Sequence, residues 1–389
     1  MTTNKAPETI AASNGIGSDT AFGAVTPPLY LSTTFTFDGF EGKRRFDYSR
    51  TDNPSRALLA ETLAKLEGGA GAVVVSSGMA AVDLVLSLLR PDDTVIVPHD
   101  CYGGTRRLLA ERHARSHLRA IFVDQGDEAA LAAAFAEKPA LVLVESPSNP
   151  LMRIVDLAAM SRRAKAVGAR LAVDSTFLSP ALQQPIAHGA DFVIHSTTKY
   201  LNGHSDVVGG AVIAAREEDV VELAAWANIV GVTSSPFDAH LTLRGVRTLF
   251  PRMERQQATA GAIAAFLARH PAVAAVHYPG LPSHPGHALA RAQQKGFGAM
   301  LSFELRGGVG AVRRVVGAVR IFNLAESLGG VESLIAHPTT MTHAAMTPEE
   351  RREAGIGEGL LRLSVGLEAE ADLIGDLDQA LDGLERAAA

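Results

Sequence analysis

Among its 389 residues the chain has a single cysteine, Cys101. An internal disulfide is therefore excluded, and one thiolate cannot by itself build a thiolate metal site. Basic residues are not in excess: 36 Lys and Arg stand against 42 Asp and Glu, giving a net charge of −6. Aromatics make up only 5% of the chain and no Lys/Arg cluster alternates with them, so nucleic acid is not an expected partner. Long apolar runs are missing as well. The longest, Met79 to Leu89, contains Asp83 and is too short to span a bilayer. The opening stretch MTTNKAPETIAASNGIGS has no apolar core of an export signal, so a cytoplasmic location and small-molecule partners are expected.

Several ligand-binding signatures are also lacking. The run GGVGAVRRVV at 307–316 has no third glycine for a dinucleotide fingerprint, and no phosphate-binding loop of the nucleotide type appears. Thirteen histidines are present, but none has metal-ligand spacing such as HExxH, so no metal is expected. His337 and His343, in HPTTMTH, read as loop hydrogen-bonders.

What is there is an ordinary globular composition, 47% hydrophobic and 20% charged, in a chain long enough for two units. Residues 1–60 read as an arm with little core of its own. Over 61–250, after a helix expected from about residue 62 to Leu66, short apolar strands alternate with helices. The strands are expected at Ala72–Ser76, Thr94–Pro98, Arg119–Val123, Leu141–Glu145, Leu171–Asp174, Phe192–His195 and Gly210–Ala214. Such alternation predicts an α/β fold with a mostly parallel seven-stranded sheet covered on both faces. A long helix is expected from Asp238 to His270, broken near Pro251. Residues 251–389 then read as a smaller α/β unit with strands in GAMLSFEL, IFNLAES and LLRLSVG, an irregular stretch between the last two, and a last helix from about Ala371.

In open parallel sheets ligands gather at the carboxyl ends of the strands. The first end, Ser76-Ser77-Gly78-Met79, opens a helix whose backbone N–H groups can hold a phosphate or merely need a cap. The next, Cys101-Tyr102-Gly103-Gly104, offers an aromatic for stacking or a turn. In Glu145-Ser146-Pro147-Ser148-Asn149-Pro150 two prolines fix a loop that either aims Asn149 or is only structural. Asp174 is an acid finishing an apolar strand. The last end, Ser196-Thr197-Thr198-Lys199, puts a lysine where burial works against its charge, with hydroxyls at alternate positions before it. At a reference pKa near 10.4 only about one lysine in 2,500 is neutral at pH 7, so burial biases such an amine toward nucleophilic chemistry. Together, a phosphate cradle, a stacking tyrosine, a strand-end acid and a strand-end lysine are what pyridoxal 5′-phosphate (PLP) requires.

Motifs along nearly the whole chain, DYSRTDNPSR, SSGMAA, DCYGGTRRL, ESPSNP, VDSTFLSP, HSTTKYLNGHSD, LAESLGGVESL and LRLSVGLE, resemble the Cys/Met-metabolism family of fold-type I PLP enzymes. The resemblance implies that Lys199 holds the cofactor and shuttles protons, while Tyr102 stacks on the ring and assists them. It implies that Asp174 pairs with the pyridine nitrogen. Gly78, Met79, Ser196 and Thr198 would bind the phosphate, completed by Tyr48 and Arg50 reaching from the arm into a neighbouring subunit. Arg362 would clamp the substrate α-carboxylate with Asn149 and Ser327, and Arg107 would contact the substrate side chain. Glu326 stands where β-lyases of the family carry an aromatic, which implies γ-chemistry. Within the family, PHDCYGGT, LVLVESPSNPL and QQKGFGAMLSFEL look closest to bacterial cystathionine γ-synthases. Thr51 stands where those often have a second arginine, so a γ-lyase is the alternative. A homotetramer, a dimer of dimers with shared active sites, is implied by the same likeness.

Overall fold

Seven short apolar segments pair side by side in the computed structural model, which describes residues 5–386. Residues 1–4 and 387–389, at the outer ends of the expected arm and C-terminal unit, lie outside it. The strands are β1 (Gly71–Val75), β2 (Thr94–Pro98), β3 (Arg119–Val123), β4 (Leu141–Glu145), β5 (Arg170–Asp174), β6 (Phe192–His195) and β7 (Gly210–Ala214). Their order is β1-β7-β6-β5-β4-β2-β3, with β7 antiparallel to both neighbours and every other pair parallel. Both faces are buried, which is why the strands read as unbroken apolar runs. Along β6, Val193 joins the core that contains Leu59, Leu63 and Leu66, while Phe192 and Ile194 join the core of the helix Gly78–Leu86.

A second sheet follows, built from β8 (Val273–His277), β9 (Met300–Leu305), β10 (Asn323–Leu324), β11 (Leu334–Ala336) and β12 (Leu360–Ser364) in the order β10-β11-β12-β9-β8. It is antiparallel except for the β10–β11 pair.

Four expectations are corrected. The first long helix starts at Pro54, not near residue 62: Asn53 caps it by accepting from the Ser55 N–H, and Pro54 fits its first turn. It buries Leu59 and Leu63 completely, so residues 54–60 belong to the core and not to a coreless arm. The helix expected over Asp238–His270 is two, Pro236–Val246 and Leu249–Leu267, and the break falls at Arg247-Thr248. Pro251 lies in the first turn of the second, where its missing N–H has no helical partner to lose. Of IFNLAES only two residues are strand. The stretch after it, expected to be irregular, holds β11 and the helix Pro348–Glu353.

The carboxyl ends of β4, β5 and β6 are brought against the start of the helix Gly78–Leu86. At Gly210 a side chain would meet the Ser77 carbonyl oxygen at 2.0 Å, so glycine is what lets β7 lie against that helix start. Among the described residues no helix is long and apolar enough to cross a membrane.

Candidate active site

The loops after those strands enclose a cavity of about 440 Å³, closed from the other side by Glu326, Ser327, Thr342 and Arg362 of the second unit. Lys199 stands in the turn that ends β6. The Ser196 N–H donates to Thr176 Oγ1 (2.9 Å) and the Lys199 N–H to the Ser196 carbonyl (3.2 Å), which turns the lysine side chain into the cavity. Its Nζ donates to Ser327 Oγ at 2.7 Å. Burial, and then the Arg362 guanidinium, push the amine down to about 8, against an opposing pull from Glu326. At pH 7 about a tenth of such amines are neutral, a gain of more than a hundredfold over an ordinary lysine.

Asp174 lines the same cavity. Its Oδ1 accepts the Thr176 N–H (3.0 Å), and burial holds the carboxyl above its ordinary value. Glu145 is its in-register neighbour on β4 and is pushed well above the usual range by burial and then by Asp174. Among the described residues neither acid has a lysine or arginine partner. That end of the cavity is short of positive charge and suits a cationic group.

The opposite end suits an anion. Ser77 caps the helix Gly78–Leu86 by accepting from the Ala80 N–H (3.0 Å), leaving the N–H groups of its first residues without helical partners. Gly78 is forced by proximity: a Cβ there would stand 2.7 Å from Ser196 Cβ and 2.9 Å from Ser196 Oγ. Tyr102 also lines the cavity, 43% exposed, with its ring edge close to Gly104.

Arg362, from β12, crosses from the second sheet. Its Nη1 donates to Asn149 Oδ1 (3.0 Å) and its Nη2 to the Ser327 carbonyl (2.8 Å). Its Nε is buried without a protein partner among the described residues, which leaves the guanidinium with a donor unused. The loop carrying Ser327 holds that residue at φ +83°.

Gly78, Met79, Tyr102, Asn149, Asp174, Ser196, Thr198, Lys199, Glu326, Ser327 and Arg362 therefore share one cavity. Three expected residues do not. Arg107 is exposed on the helix Gly103–Ala114, close to Gly103 and outside the cavity lining. Tyr48 and Arg50 also lie away from it: Arg50 Nη1 donates to the Asn228 carbonyl (2.7 Å) and Oδ1 (2.8 Å). Glu145, Thr176 and Thr342 were not anticipated. For Glu145 the signal was present, an acid finishing an apolar strand, as in Asp174.

His343 is fully buried and joins Thr342 to the clamp. A carbonyl can only accept, so Nε2 donates to the Asn149 oxygen (3.1 Å) and Nδ1 accepts from Thr342 Oγ1 (2.9 Å). Burial, then Arg362, push this imidazole down to about 4. Between about 4 and 6.5 the unfolded chain binds the proton that the folded one refuses, so stability falls on acidification, by up to about 3 kcal/mol from this group. A His343→Gln variant is expected to be less stable than wild type at pH 7, with the difference in Tm narrowing as the pH is lowered to 4.5. A difference that stays constant across that range contradicts the assignment.

A partly buried lysine whose charge is disfavoured, an acid pair lining the same cavity and an anion cradle between strand and helix define a fold-type I PLP enzyme. Residues 8–382 match the model of the Cys/Met metabolism PLP-dependent enzyme family, and the chain belongs to that family. It is 57% identical over 371 residues to a cystathionine γ-synthase of Escherichia coli (strain K12), covering 95% of this chain and 96% of that one. The crystal structure of a cystathionine γ-synthase from Xanthomonas oryzae pv. oryzae in complex with cystathionine superposes with a TM-score of 0.98 at 58% identity, covering 99% of this chain and 100% of that one. A cystathionine γ-lyase from Micromonospora echinospora gives 0.93 at 42% identity, covering 97% and 100%.

Proposed function

We propose that the chain is a PLP-dependent γ-replacement enzyme that converts O-succinylhomoserine and L-cysteine to cystathionine and succinate. The observation that carries this reading is one amine, Lys199 Nζ, sharing a cavity with the Arg362–Asn149 clamp and with Glu326. The similarity to the γ-synthases supports it.

Lys199 would hold the cofactor, Asp174 would pair with its pyridine nitrogen, and Tyr102 would lie on its ring. Gly78, Met79, Ser196 and Thr198 would hold the phosphate. Bound there, PLP supplies a sink for negative charge developing on the substrate carbons. Arg362, Asn149 and Ser327 fix the substrate α-carboxylate, so one amine serves both Cα and Cβ. Nζ accepts the Cα proton and then moves protons at Cβ, assisted by Tyr102. The Cγ–O bond breaks with release of succinate, and the cysteine thiolate forms the Cγ–S bond. The protons are then returned. Arg107, exposed beside Gly103, would meet the distal carboxylate of the succinyl group.

Tyr48 and Arg50 point away from this chain's own cavity, and the arm carries nearly fully exposed Phe22 (95%) and Phe40 (97%). Both features fit an arm that serves a neighbouring copy in a homotetramer, with the phosphate site completed by residues 48 and 50 of that copy.

The lyase reading draws on Thr51, which leaves the succinyl group one expected cation fewer. Two reactions separate the readings by mass analysis of products. O-Succinylhomoserine with cysteine is expected to give cystathionine and succinate. Cystathionine supplied alone is expected to stay intact, and its rapid conversion to 2-oxobutyrate and ammonia, with no turnover in the first reaction, overturns the synthase.

A further inference from the structure

We propose that Glu145 is a positioning residue that ties the ring-facing wall and the carboxylate clamp of the active site into one unit. The inference rests on the functional reading above and adds to it a residue that contacts neither the amine nor the clamp's guanidinium.

Glu145 ends β4 and is only 9% exposed. One of its oxygens, Oε2, accepts the backbone N–H of Tyr102 at 2.9 Å, and the other, Oε1, accepts the backbone N–H of Asn149 at 3.0 Å. The two donors come from loops after different strands, 43 residues and 4 residues away in sequence. Tyr102 begins the helix Gly103–Ala114 with no side-chain cap of its own, so the Glu145 carboxyl stands where a helix start most favours an acceptor. Asn149 is gripped at three points: its N–H by Glu145, its carbonyl by His343 Nε2, and its Oδ1 by Arg362 Nη1. A continuous path, Tyr102–Glu145–Asn149–Arg362, thus crosses the cavity.

The chemistry of the side chain matches that place. Two converging N–H groups need two acceptors and no donor at this reach, which an ionised glutamate provides and glutamine does not, and these two hydrogen bonds pull against the burial that raises the carboxyl. Stability alone gives no reason for an acid here, because Glu145 stands beside Asp174 with no cation among the described residues to offset burial. A packed apolar side chain would avoid that cost and would leave both amides unheld.

The test uses the cofactor-loaded enzyme. Glu145→Gln, nearly the same shape, keeps one acceptor and turns an NH₂ toward the other amide; Glu145→Ala loses both. KM for O-succinylhomoserine is expected to rise about tenfold in Glu145→Gln, and kcat/KM to fall about 100-fold in Glu145→Ala. The visible circular dichroism of the bound cofactor, which reads ring orientation, is expected to weaken in both. On an Asn149→Ala background the effect of Glu145→Gln on KM is expected to shrink toward onefold, because the clamp is already loosened. A fall in Tm with unchanged KM, kcat and dichroism overturns the proposal, and so do fully additive effects in the double variant. Wild-type enzyme is assayed alongside. If it makes no cystathionine the functional reading fails, and the dichroism of Glu145→Gln still decides the bridge.

Discussion

Lys199→Ala is expected to lower turnover by about 10⁴-fold or more, since it removes the cavity amine proposed to move protons at the substrate carbons. The loss is chemical and not structural. Lys199 is only partly buried, and its side-chain hydrogen bond to Ser327 Oγ joins two groups of the site and is not part of the hydrophobic core. The variant is therefore expected to fold, and to retain PLP through the groups at the start of the helix Gly78–Leu86. After borohydride reduction and denaturation, wild-type protein is expected to carry the mass of the cofactor and the variant none. Activity within tenfold of wild type, or a borohydride-fixed adduct in the variant, would refute the role given to this amine.

Asp174→Asn is expected to cost about 10³-fold in kcat/KM while preserving shape. A carboxylate against a ring cation at a contact of ~4 Å and an effective dielectric near 20 is worth about 4 kcal/mol, and each ~1.4 kcal/mol is a decade. An amide keeps a hydrogen-bond acceptor but not the charge. The Thr176 N–H can still be accepted, so the loop is expected to hold. The cofactor absorption maximum and its titration with pH should both change in the variant. If turnover and spectrum stay as in wild type, the acid at this strand end does not hold the ring nitrogen.

Much of this site is legible along the chain. Each large-sheet strand is four or five residues of apolar sequence, and the residues at and just past its end project at the carboxyl edge, so Gly78, Tyr102, Asn149, Asp174 and Lys199 fall on one edge by counting. Glu145 shows the limit of that method. Its position matches that of Asp174, yet only the folded loops show that its two oxygens face two amides. Arg362 is more distant still: in isolation it reads as an arginine on a strand, and its partner Asn149 lies 213 residues earlier. The covering stretch reads as irregular in sequence because its order comes from long-range contacts. Met346, Ala354, Ile356 and Leu360 form a small core with Leu151, and Arg106 pairs with Glu350.

Local physical chemistry, carried by apolar runs, caps and strand-end polar groups, was enough to specify the sheet, its ligand edge and the lysine and acid that face each other across it. Folding alone decided the grip on Asn149, the bridging by Glu145, the reach of Arg362 from a second sheet and the outward turn of Tyr48 and Arg50. The difference has one cause. Periodicity and capping act within a few residues, whereas a hydrogen bond between groups hundreds of residues apart depends on how two packed sheets come to rest, which no local pattern encodes.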